Sequence, residues 1–143
     1  MAEKYPHKPA AEILADLVKA TPGEEGKWFI AARDLGRYDL AIELARTSPC
    51  DPRTLARAAR DYAAKEPAFA VEAGHAALEW LVKGYGYEIT AADVRMAYSA
   101  AMKAAEALGR VRETKERLRQ LIAAAPRADL LAQVLRDELG LGR

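Results

Sequence analysis

The sequence predicts an all-α chain built from consecutive helical hairpins, and three observations carry that expectation. Alanine is abundant while β-branched residues are few, which favours helix over strand along the whole chain. Apolar side chains recur at intervals of three and four in one segment after another. Between these segments stand glycines and prolines, and the step Leu-Gly-Arg separates two such segments both at Leu35-Gly36-Arg37 and at Leu108-Gly109-Arg110.

The first element is expected at residues 9–20. Pro9 suits a first helical turn, and Ile13, Leu14, Leu17 and Val18 form one apolar face that needs covering. A hairpin is then expected over residues 21–47. Thr21 and Glu24 stand in capping-box positions with Pro22 in the first turn, so the sequence places a helix start at Thr21. Trp28, Ala31, Ala32 and Leu35 follow at helical spacing, Gly36 supplies the turn, and Tyr38, Ala41, Ile42 and Ala45 make a second stripe.

A second hairpin is expected over residues 52–83. Asp51 before Pro52 is an N-cap followed by a first-turn proline, and Leu55, Ala59 and Tyr62 share a face. Arg53, Arg57 and Arg60 lie on the opposite face as a basic stripe. Pro67 opens the next helix, which is apolar on both sides (Phe69, Ala73, Ala76 and Trp80; Val71, Gly74, Leu78 and Leu81). Only the strip Glu72, His75, Glu79 and Lys83 is polar, so this helix is expected to be central and the most buried.

After a glycine-flanked connector carrying Tyr85 and Tyr87, a third hairpin is expected over residues 90–125. Thr90 with Asp93 makes a capping box, Val94, Tyr98, Ala101, Ala105 and Leu108 form the stripe, and Gly109 ends the helix. Its second helix packs through Val111, Leu118, Leu121 and Ile122, and Glu113 is placed to pair with Arg117 four residues on. Pro126 interrupts, and residues 128–139, with Leu131, Val134 and Leu135, supply a closing helix before Gly140 and Gly142.

At 143 residues the chain has the size of one domain, and one all-helical domain over 1–143 is the default. Twenty-two basic against twenty-one acidic side chains leave a net charge of +1, so no bulk field draws the chain to nucleic acid or membrane. The single cysteine, Cys50, has no partner for a disulfide and reads as a plain loop thiol, which suits a reducing cytoplasm. The first twenty residues hold no apolar run of leader length, and no segment approaches the roughly 20 apolar residues of a membrane span. A soluble, unexported, cytoplasmic protein is expected.

Each hairpin can bury its apolar face only against a neighbour, and about three are needed for stability. The pattern therefore predicts a short right-handed α-solenoid of about three antiparallel helical hairpins with an N-terminal and a C-terminal flanking helix. An irregular helical bundle is the alternative. Over residues 21–126 the chain resembles the tetratricopeptide repeat family, whose turn signature stands here as Gly36-Arg37-Tyr38-Asp39-Leu40-Ala41, with Gly109 in the third unit and Pro126 at the closing proline. Phe29 and Met102 stand where that family's pattern has a second small residue.

The resemblance implies a concave groove, lined by the first helix of each hairpin, that takes an extended peptide or a partner helix. Carried over by matching turn positions, the groove candidates are Arg33 and Asp34, then Arg57, Asp61 and Lys65, then Ser99, Lys103 and Glu106. At any one of these positions a solvated helix face is the competing explanation. Tyr85 and Tyr87 form a candidate contact loop, or else fold back on the hairpin below. The resemblance implies a non-catalytic adaptor with a protein or peptide partner. The alternative is a nucleic-acid-associated regulator using Arg53, Arg57 and Arg60, which an amphipathic helix also explains as its wet side. His75 with Glu72 and Glu79 is the one grouping that resembles acid–base or metal chemistry, and it lacks the further ligands a metal wants. No phosphate loop or nucleophile elbow is present. No cofactor, metal or catalytic residue is therefore expected, and self-association through the terminal helices is compatible with either reading.

Overall fold

The structure, a computed structural model, describes residues 10–85, 89–124 and 130–140, and every regular element among them is helical. Among the described residues eight α-helices run in order: α1 Ala10–Ala20, α2 Phe29–Asp34, α3 Tyr38–Thr47, α4 Pro52–Tyr62, α5 Pro67–Val82, α6 Ala91–Leu108, α7 Val111–Ala123 and α8 Leu130–Glu138, with a 3-10 turn at Glu25–Trp28 before α2. The expectations at Pro9, Tyr87, Pro126, Gly142 and the Leu131 side chain fall outside what is described. The helices group into two compact units, residues 1–49 and 50–143.

In the first unit the predicted capping box at Thr21 does not form. The Thr21 hydroxyl donates back to the Leu17 carbonyl at 3.0 Å and accepts from the Trp28 indole N–H at 2.9 Å, so it is engaged at the end of α1. Gly23 takes φ +86°, its N–H meets the Glu25 carboxylate at 3.1 Å, and the α-helix starts only at Phe29. That delay shifts the buried face. Phe29 and Ala32 are buried, whereas Leu35 is 42% exposed and Trp28 is half-buried. On α1, Leu14 is buried but Leu17, expected on the same face, is 41% exposed. The unit is tied together by Ser48, a buried side chain near the end of α3, whose hydroxyl accepts the Gly26 N–H at 2.8 Å.

In the second unit the capping signals at Asp51 and Thr90 hold. The Asp51 carboxylate accepts the Arg53 N–H at 3.2 Å with Pro52 in the first turn, and the Thr90 N–H donates to Asp93 Oδ2 at 2.8 Å. Helix α5 is buried on both sides, from Phe69 to Val82, with Glu72, His75 and Glu79 half-buried and Lys83 exposed. At Gly74 it comes close to α6, against Ala97 and Ala101. Helix α7 is held to α5 by a fork that the sequence did not announce: Arg117 meets both Glu72 oxygens at 2.6 and 2.9 Å, in place of the expected pairing with Glu113. Donating hydrogen bonds to Glu72 raises the Arg117 pKa further above its already high value, against the pull of burial. Glu113 instead lies 3.8 Å from Arg110.

The Leu-Gly-Arg steps at Leu35–Arg37 and Leu108–Arg110 fold alike. Gly36 and Gly109 have φ +76° and +70°, and the following Arg37 and Arg110 N–H groups reach back to Ala32 and Ala105 at 3.0 and 2.9 Å. Such a left-handed residue with a bond five residues back satisfies orphan carbonyls at a helix end, and glycine takes that backbone shape without a Cβ penalty.

Candidate partner-binding face

The second unit carries six of the eight polar positions assigned to a groove. Helices α4 and α6 are joined across their first turns by Arg53 and Asp93, Nε to Oδ1 at 2.9 Å and a terminal nitrogen to Oδ2 at 3.2 Å. At their other ends Ala63, just past α4, belongs to one buried cluster with Ala104 and Ala105 of α6. These two points set α4 and α6 side by side, running in the same direction, with α5 packed against both. Both helices bury small side chains: Ala56 and Ala59 on α4 and Ala97, Ala101, Ala104 and Ala105 on α6 are all buried.

Arg57 and Asp61 on α4 and Lys65 in the turn after it are exposed, as are Ser99, Lys103 and Glu106 on α6. A spacing of four puts Arg57 and Asp61 on one face of α4, and spacings of four and three put Ser99, Lys103 and Glu106 on one face of α6. At about 1.5 Å per residue the α6 row is about 10 Å long, the length of about three residues of extended chain. Lys65 is held by the Tyr62 ring, its Nζ 4.4 Å from the centroid. Arg57 and Lys103 have no acidic partner within ion-pair distance among the described residues. Arg33 and Asp34 belong to the first unit, where the guanidinium meets the carboxylate at 2.9 and 3.1 Å.

The arginine stripe is not uniform. Arg53 is engaged by Asp93 and Arg60 by Asp61 at 3.0 Å, so only Arg57 presents an uncompensated charge. The guanidinium of Arg53 holds the Asp93 carboxyl below its ordinary pKa, with burial opposing and the Thr90 N–H assisting. This pair was missed in the sequence because its members lie 40 residues apart; the one available signal was that Arg53 and Asp93 both fall in first turns.

The other singled-out side chains have specific surroundings. Tyr85 is 44% exposed and nevertheless folds back, edge-on to Trp80 with centroids 5.0 Å apart. Cys50 is a free thiol in the loop before α4, as expected, but it is buried, and burial with the Asp51 charge pushes its pKa up to about 12. Glu72 is committed to Arg117 and Glu79 meets Lys83 at 3.4 Å. Among the described residues no group of three His, Cys, Asp or Glu side chains is placed to hold a metal ion, and no helix is long and apolar enough to cross a membrane. An open depression of about 510 Å³ at the start of α7 is lined by Gly109, Arg110, Arg112, Glu113 and Glu116, with charges of both signs.

Set against protein-family models, curated proteins and solved structures, the chain matches none.

Proposed function

We propose that this chain is a non-catalytic protein–protein interaction module, working in the cytoplasm, that binds a peptide, helix or partner subunit over the α4 and α6 face. In this reading α4–α5 and α6–α7 are successive hairpins of a short right-handed, tetratricopeptide-like α-solenoid. The observation that carries it is the pair of adjacent, parallel helices whose exposed rows leave Arg57 and Lys103 without an acidic partner among the described residues. Cations on a fixed, alanine-packed base lose little freedom on meeting a ligand carboxylate, and Arg can do so through two parallel hydrogen bonds. The nucleic-acid alternative has less behind it, since two of the three stripe arginines already have a carboxylate.

The test is a pull-down from native extract with the full tagged chain, with and without nuclease, beside the Arg57→Glu/Lys103→Glu variant. A protein partner kept after nuclease and lost in the folded variant supports the proposal. Partners that vanish with nuclease, or binding that the variant leaves intact, overturn it.

A further inference from the structure

We draw no further inference here: the strongest candidate, the exposed apolar side chains of Leu17 on α1, Ile30 on α2 and Leu35 just past α2 in the first unit, is unpartnered apolar surface, and nothing in the structure shows what covers it.

Discussion

A methyl group placed on Gly74 of α5 would stand 2.8 Å from the Ala101 Cβ of α6, well inside the roughly 3.5–4.0 Å at which carbon atoms pack best. It would also meet the Ala101 Cα at 3.2 Å and the Ala97 carbonyl oxygen at 3.3 Å, and neither backbone atom can rotate away. Alanine in a helix interior is favoured over glycine by about 1 kcal/mol, while overpacking a filled core costs about 1–3 kcal/mol. Gly74→Ala is therefore expected to destabilise by about 1 kcal/mol and Gly74→Leu by more. Urea unfolding followed by Trp80 fluorescence in a Trp28→Phe background reads the second unit alone, because Trp28 and Trp80 are the two tryptophans of the chain. A Gly74→Ala protein more stable than its parent would mean that α5 and α6 separate at little cost.

Cys50 should be chemically silent in the folded protein. The thiolate is the reactive form, and with a pKa near 12 roughly one thiol in ten thousand is ionised at pH 8. Exposure of the side chain is only 7%, which blocks reagents as well. Titration with a disulfide reagent at pH 8 is expected to release almost no thiol from native protein and one equivalent in denaturant. Rapid native reaction would show that Cys50 is reached through frequent opening.

The α7 dock rests on Arg117 and Glu72. Both side chains are about one-third exposed, so the pair is worth more than a surface ion pair and less than a dry one. Arg117→Ala is expected to cost about 1–2 kcal/mol, and Arg117→Lys to recover only part, because an ammonium cannot fork across two oxygens. In a double-mutant cycle with Glu72→Gln, a coupling of about 1 kcal/mol is expected. Additive single effects would assign the loss to side-chain packing of the arginine stem instead.

What the sequence could reveal divides along the range of the interactions. Helix starts at Pro52 and Ala91, the αL stop at Gly109 and the burial of α5 depend on neighbours within a few residues, and each was legible from cap chemistry or apolar periodicity. Thr21 shows the limit: its hydroxyl had two local uses, and Trp28, seven residues on, helped decide between them. The Arg117 fork crosses 45 positions, so local spacing favoured Glu113 and tertiary packing chose Glu72. On the candidate face, periodicity identified the exposed rows, but only the placement of α6 beside α4 separates committed charges from available ones.

Asp93 should make the second unit acid-sensitive. Its folded pKa lies below the unfolded value of about 3.9, so its contribution is full above that value and is lost as pH falls through the folded pKa. Asp93→Asn is expected to lose about 1 kcal/mol at pH 7, through a weaker cap and a stranded Arg53, and the gap to wild type should narrow as pH falls below the unfolded value of about 3.9. Urea midpoints measured from pH 7 down to pH 2.5 check this. A gap that stays constant would place the loss in shape rather than charge.

The three stripe arginines look equivalent in the sequence, and their different partners predict different responses to the same change. Arg53→Glu sets two carboxylates against each other where α4 and α6 join, leaving Asp93, 16% exposed, without its counter-charge. That loss is expected to cost about 2 kcal/mol, as for other half-buried pairs stripped of one member. Arg60→Glu disturbs only an exposed pair with Asp61, and Arg57→Glu disturbs no pair among the described residues, so both should stay within about 0.5 kcal/mol of wild type. Thermal melts of the three variants separate these cases, and binding measured on the same samples separates them again. If the α4 and α6 face is the working surface, Arg57→Glu weakens the partner at unchanged stability, whereas Arg53→Glu weakens it only in proportion to lost fold. Equal losses of stability in all three would mean that Arg57 is itself a structural residue, and the polar face would then need another anchor.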